Sequence, residues 1–402
     1  MNYENFRRIE ERVFYTLVGV LGLVVLAGAG AWHYMEEHGH IVTGMSNQIV
    51  WGLPHVFAIF LIVAASGVLN VASIGSVFGK PIYKARAPLS GLLALAMLGG
   101  GLAVLMLDLG RSDRLIVAAT HFNPTSVFAW NIILYSGFFG IVATYLWTMM
   151  DRRMHDYSKF AGFSAFIWRL ILTTGTGSIF GFLVARQAYG TALLAPMFVI
   201  MSFAWGLAVF NVVQSAMYRW NGIKLDPAIM RRMKNLLAVF VAAVLYFTIV
   251  YHLTNLYFAK QTSFERFMLI DGGVYTTLFW LGQIVIGSLI PLAVLFHPEL
   301  SQRCGAVFLA SMLIIFGAFC HLYVLIIGGQ AFPLDLFPGM AATSSFFDGR
   351  AVHPYSPSLP EFLLGLGGIG VTFLLVTIAV RVLKFMPQDD FRHLAKAENL
   401  TD

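Results

Sequence analysis

An all-α membrane bundle with ten bilayer crossings is the fold class predicted by three features of this 402-residue sequence. Hydrophobic residues make up 58% of it and charged residues only 11%, against about 25% charged in soluble domains. Apolar runs long enough to span a bilayer, about 20 residues each, occur ten times. Lys and Arg gather in alternate loops. Mean hydropathy is +0.76, and a water-soluble globule of this length would need far more charge to cover its surface. A cytosolic enzyme and a disordered chain are thereby excluded. So is a nucleic-acid binder, because the formal charge of +6 is scattered over short loops.

The ten runs lie near 13–31, 50–77, 88–107, 127–150, 160–185, 191–216, 235–258, 274–296, 304–327 and 361–382. Eight carry no charge; the tenth carries Glu361 and Arg381 at its ends, and the fifth carries Arg169 inside. The N-terminal stretch leads into the first run without a cleavage-site pattern, so that run is expected to remain as a span. With both termini inside, the inner segments hold nineteen Lys and Arg and the outer loops six. The positive-inside bias then places both termini in the cytoplasm, an N-in/C-in arrangement. An odd number of crossings would spoil this alternation.

Two outer loops are long. Residues 32–49 hold three histidines, two glutamates and no Lys or Arg. Residues 328–360 are rich in proline and aromatics, a composition that reads as a lid over the helix ends, as a docking surface for an outer partner, or as both. Cys304 and Cys320 are too few for an iron–sulfur cluster, which takes four thiolates. One helix would hold them ~24 Å apart, so they cannot pair, and they read as small core residues.

Ionisable groups at membrane depth are costly and face a bundle interior or a water cavity. Helix direction sorts them by depth. His55 sits near the outer end of the second helix and Asp108 at the outer end of the third. Arg111 and Arg114 follow, then His121, Asn123, Ser126, Trp130 and Asn131. One histidine, one aspartate, several hydrogen-bond donors and aromatic rings therefore share one level near the outer face. A quinone headgroup site needs this set: a donor for each carbonyl, an acid–base relay for two protons and apolar walls for the isoprenoid tail. His55 and Asp108 are the acid–base candidates. The plainer alternatives are an interfacial histidine and an aspartate paired with Arg111 or Arg114. Arg169, about nine residues into the fifth helix from the inner side, is followed by Thr173, Thr174, Thr176 and Ser178. It reads as the inner part of a proton or water pathway, a third catalytic candidate, or as a snorkelling side chain.

In the second half, His252 and His321 are predicted to share a depth. They read as a hydrogen-bonded polar pair or, alternatively, as axial ligands of a b-type haem. Glycines at 99–101, 175, 177, 365, 367, 368 and 370 read as close helix packing. No phosphate-binding glycine loop is present.

The segment Asp108-Leu109-Gly110-Arg111, then Arg114, Phe122-Asn123-Pro124-Thr125-Ser126 and Trp130, resembles the signature of the NrfD/PsrC family of quinone-interacting membrane subunits. Trp51-Gly52 resembles that family's second-helix start. The resemblance covers roughly residues 50–330. The ten-helix length and the stretch from Gly328-Gly329-Gln330 to Phe337-Pro338-Gly339 resemble the larger branch of the family, which includes DsrP and HmcC. The resemblance implies two four-helix bundles, 50–185 with the quinone site and 191–327, within one membrane domain, 1–402. Beyond these it implies an outer loop at 328–360, a last helix at 361–382 and a cytoplasmic tail at 383–402. It implies exchangeable menaquinone or ubiquinone bound by His55, Asp108, Arg111, Asn123, Ser126 and Asn131, with no cofactor held by the chain itself. A periplasmic, DsrO-like ferredoxin-type iron–sulfur subunit is the implied neighbour. So are a multihaem cytochrome c, a cytochrome b subunit and a cytoplasmic iron–sulfur subunit, in the bacterial inner membrane and in sulfur metabolism. The competing readings are a secondary transporter, whose sites sit near the midplane, a haem-bearing cytochrome b subunit, and a passive membrane anchor.

Overall fold

The computed structural model describes residues 6–7, 10–222, 225–334, 343–344, 347–348, 351–383 and 385–387. Residues 335–342 of the predicted outer loop and 388–402 of the predicted tail lie outside the described residues. Long helices form on the ten apolar runs: α1 Glu11–His38, α2 Leu53–Ser76, α3 Ala87–Leu107, α4 Val127–Met150, α5 Ser158–Gly181, α6 Leu194–Trp220, α7 Pro227–Tyr257, α8 Val274–Phe296, α9 Cys304–Ala331 and α10 Leu359–Val382. The chain is an all-α polytopic membrane protein. Among the described residues, nine helices are long and apolar enough to cross a membrane, one fewer than the sequence count. The exception is α5, which has the length but carries Arg169 and a run of hydroxyl side chains.

Local chemistry sets the helix ends. α7 starts about two turns before its apolar run, because Asp226 caps it by accepting from Ala228 N at 2.7 Å. Those turns carry Arg231, Arg232 and Lys234, and Lys234 Nζ reaches Leu295 O and Ser301 Oγ, both at 3.0 Å. α10 opens with a capping box between Ser358 and Glu361. In α8, residues Leu278–Leu289 are π-helical, where Gly282 and Gly287 lack side chains and Pro291 lacks an N–H to hold the tighter ladder. Cys320 is buried, whereas Cys304 is exposed at the start of α9 rather than in the core.

Helices α2 to α5 pack in a closed ring, and α6 to α9 in a second. The rings meet where α2 crosses α6. A Cβ on Gly67 would overlap the Ser202 carbonyl oxygen, and one on Gly206 would overlap the backbone of Gly67, so only glycine permits this approach. Helix α2 is the central post, with 94% of its apolar window buried, against 6% for α1. α10 lies on α2 and α3, and α1 lies on α10.

Arg381 Nη2 at the end of α10 lies 3.8 Å from Glu11 Oε1 at the start of α1. Glu10 N donates to Asn221 Oδ1, just past α6, at 2.8 Å. These ends share one face, as an even number of crossings requires. The opposite face carries residues 39–52, 108–126, 182–193 and 351–358, and is termed outer after the charge split.

Candidate functional site

The outer start of α2 is fixed from outside its own helix. Gly52 precedes it in an extended conformation and Pro54 sits in its first turn. The orphan N–H of Leu53 donates to Tyr355 Oη at 2.7 Å. Val50 N and Trp51 N donate to Gln330 Oε1 at 3.0 and 3.1 Å. Tyr355 Oη in turn donates to Glu361 Oε1 at 2.7 Å, and Glu361, 0% exposed, also accepts from Gly44 N and Ser358 N. Burial, then the bond to Glu361 and its charge, push the Tyr355 phenol well above its usual range.

His55 stands in the first turn of α2, and Asp108 closes α3 with its N–H on Val104 O. Their side chains meet: His55 Nδ1 lies 2.9 Å from Asp108 Oδ2, with side-chain exposures of 18% and 1%. The loop histidine His40 completes the group, its Nε2 3.1 Å from the Asp108 carbonyl oxygen and 4.0 Å from Oδ1. The His55 contact has ion-pair distance but lies off the hydrogen-bonding direction. Among the described residues, neither Asp108 carboxylate oxygen nor His55 Nδ1 has an aligned partner. Buried polar atoms in this condition mark a functional constraint or a place where a ligand or water binds.

The walls are aromatic. The Trp51 ring lies 6.3 Å from His55, 6.1 Å from Phe128 of α4 and 5.8 Å from Phe180 of α5. Phe128 and Trp130 are 45% and 41% exposed at the outer end of α4. Asn131, 3% exposed, donates to Val127 O at 2.9 Å, and its Oδ1 has no partner among the described residues. One turn on, Tyr135 is buried with its hydroxyl toward Thr176.

The structure brings His55, Asp108 and the Trp51 wall together. It does not pair Asp108 with Arg111 or Arg114, as the plainer sequence reading has it. Arg111 leaves α3 with φ −142° and ψ 67°, which carries its side chain outward onto Asp113, at 3.0 Å from Nε and 2.9 Å from Nη2. That hydrogen bond, and then the opposite charge, raises the Arg111 pKa, and the same bond lowers that of Asp113. Asn123 is also exposed. Its Oδ1 accepts from Thr125 N at 3.0 Å and Thr125 Oγ1 at 2.8 Å, a turn that shapes the loop. Ser126 stands at the N-cap of α4 without a side-chain cap bond. Arg169 is not a snorkelling side chain: it is 1% exposed, donates to Ser66 O at 3.3 Å, and lies over Phe166 and Phe203 at 5.0 and 5.1 Å.

The haem reading of His252 and His321 meets a steric objection. His252 Nδ1 meets Glu265 Oε2 at 2.6 Å, an arrangement that by itself leaves Nε2 open. His321 lines a cavity of about 20 Å³, where a cofactor of that size needs several hundred Å³. The macrocycle does not fit this packing. Sequence reasoning missed Gln330, Tyr355, Glu265 and the role of His40. His40 gave a signal as a histidine in a loop without Lys or Arg, and Gln330 as part of the stretch that resembles the family's larger branch.

The family model described as polysulphide reductase, NrfD, matches residues 41–334. The chain belongs to the NrfD family. Its similarity runs nearly end to end in two of the three relatives that follow. It is 27% identical over 385 residues to the Hdr-like menaquinol oxidoreductase integral membrane subunit of Archaeoglobus fulgidus, covering 95% of this chain and 97% of that one. It is 22% identical to a selenate reductase subunit of Mesobacillus selenatarsenatis, covering 93% and 94%. It is 22% identical to a polysulfide reductase polypeptide of Wolinella succinogenes, covering 71% and 96%. Within this NrfD-family protein, the matched region contains His55, Asp108 and the Trp51 wall.

Proposed function

We propose that this chain is the quinone-binding membrane subunit of a multisubunit oxidoreductase, and that a quinone headgroup lodges against His55 at the outer end of the first ring. The observation that carries the reading is the His55–Asp108 contact at 2.9 Å, set beside an aromatic wall. Family membership and the menaquinol named for the Archaeoglobus relative support it.

Asp108 lies against Nδ1 of His55, and Nε2 is the nitrogen left to meet the substrate. Oxidation of a quinol releases two electrons and two protons. In that direction His55 accepts the first hydroxyl proton, and the adjacent carboxylate stabilises the imidazolium. In the reverse direction His55 donates to the quinone carbonyl. Asn131, with a free Oδ1 one helix away, accepts a hydrogen bond from the second hydroxyl and orients it, and the second proton follows the first onto His55 once the imidazolium has passed its proton to the outer side. Electrons pass to an iron–sulfur partner on the outer side, because the site lies at that end. The full assembly is of the DsrP type: a ferredoxin-like iron–sulfur subunit, a multihaem cytochrome c, a cytochrome b subunit and a cytoplasmic iron–sulfur subunit, in the inner membrane of a bacterium. Arg169, beneath the site, belongs to the inner proton route.

A photoreactive azidoquinone added to the membrane-embedded complex tests this reading. Label on peptides spanning 48–56 or 106–131, competed away by menaquinone, is the expected result. Label confined to other helices contradicts it.

A further inference from the structure

The second ring has its own buried polar atoms, apart from His55 and Asp108. His321 Nε2, Gln283 Oε1, Asn211 Nδ2, and Gln214 Nε2 and Oε1 have no hydrogen-bond partner among the described residues. Their residues are 7%, 5%, 6% and 1% exposed in that order. Leaving such atoms dry is costly, and internal water is the usual remedy.

These atoms fall on two separate cavities. The outer one, about 20 Å³, is lined by His321, Gln283 and Ser288 beside Met201 and Trp205. The inner one, about 10 Å³, is lined by Asn211, Gln214, Ser215 and Met230. A cavity needs roughly 10–15 Å³ to take one water, so each is sized for about one. Met230 also borders an open pocket of about 480 Å³ at the inner face, with Arg231, Lys234 and Asn235. At the other end, Glu265, 0% exposed, accepts from Asn255 Nδ2 at 2.8 Å and meets His252 Nδ1 at 2.6 Å.

The two cavities do not join. On α6 the linings are Trp205 and Asn211, on α7 Val241 and Met233, and on α9 Ile314 and Val307. Between them stand Ala208, Leu237 and Ala310, each 0% exposed. At 1.5 Å per residue this is about 10 Å of closed apolar packing. The π-helical turns Leu278–Leu289 and Val324–Gly328 flank the outer cavity, a helix distortion that recurs at functional sites.

We propose that the second ring holds internal water at two separate sites, closed off from each other by Ala208, Leu237 and Ala310, and that the outer site exchanges protons through His321 and the His252–Glu265 pair independently of the quinone site. The groups suit this task. Imidazole, amide and hydroxyl each donate and accept, so a proton can pass along them and a bridging water without any group moving far. This inference does not need the quinone reading.

Hydroxyl-radical footprinting of the full chain, read by mass spectrometry, tests the water. Met201 and Trp205 are 0% and 3% exposed, and Met97, packed in the first ring, is 1% exposed. Bound water beside Met201 and Trp205 makes them oxidise about tenfold faster than Met97, and Gln283→Leu brings them down to its rate. Wild-type rates equal to that of Met97 overturn the bound water. Deuterium exchange at the His321 Cε1–H tests the proton step. Exchange in the folded chain, unaltered by Asp108→Asn, is expected. Exchange only on unfolding, or its loss in Asp108→Asn, overturns the proposal. Should Gln283→Leu fail to fold, Ser288→Ala serves in its place.

Discussion

Gln330 grips Trp51 by both faces of its peptide: Oε1 accepts from Trp51 N at 3.1 Å, and Nε2 donates to Trp51 O at 3.0 Å. Gln330 closes the last helix of the second ring, and Trp51 opens the first helix of the first. Arg186 reinforces the tie, donating to Gln330 O at 2.9 Å and Gln48 O at 2.8 Å. The aromatic wall beside His55 is thus held in place by the other ring.

Gln330→Leu keeps the volume and removes the tie. It leaves the N–H groups of Val50 and Trp51 without acceptors, a loss of about 1–3 kcal/mol. Thermal unfolding of the purified chain reads that loss. Because Trp51 is released while His55 and Asp108 stay, KM for quinone should rise more than kcat falls.

Gly67→Ala tests the seam between the rings. The new methyl group meets the Ser202 carbonyl, backbone that cannot step aside, and overpacking of this kind costs about 1–3 kcal/mol or more. Lower membrane yield and earlier unfolding are expected. Gly19→Ala, where a Cβ meets nothing within 4 Å, should be silent in the same assay.

Tyr355→Phe removes the link between Leu53 N and Glu361, two hydrogen bonds worth about 1 kcal/mol each. The same phenol sets a pH dependence. Its folded pKa is raised above the 10.0 of the free group, so the folded state holds the proton more tightly. This contribution is complete below pH 10 and is lost as pH rises above it. Unfolding midpoints followed from pH 8 to pH 11 should show a smaller fall in Tyr355→Phe than in the wild type.

Arg169→Leu separates packing from proton movement. A buried charge can give way to an apolar side chain of similar bulk with little loss, within about 1–2 kcal/mol. The protein should therefore fold, while proton uptake from the inner side during quinone turnover slows. A pH dye inside sealed vesicles reads that uptake, and an unchanged rate leaves Arg169 a packing role alone.

The helices were legible because a bilayer imposes one length and one polarity on every crossing. The early start of α7 was not, since Arg231, Arg232 and Lys234 break the apolar run while Asp226 still caps the helix. Depth alone placed His55 and Asp108 at one level. It did not give their partners: the backbone at Arg111 turns that side chain out to Asp113, and His40 comes from a loop that no periodicity fixes. The Gln330–Trp51 tie spans 279 residues and leaves no local pattern. Arg169 was legible as an anomaly, but its burial depends on Phe203 from the other ring.

The double-mutant cycle of His55→Gln and Asp108→Asn, read as quinone-linked turnover of the assembled complex, tests the central claim most directly. A histidine and carboxylate acting as one acid–base unit should each lose about 10²–10⁴-fold when replaced, and the double variant should lose little more than the worse single one. Losses that multiply in the double variant, or turnover that survives either replacement in an intact complex, would contradict it.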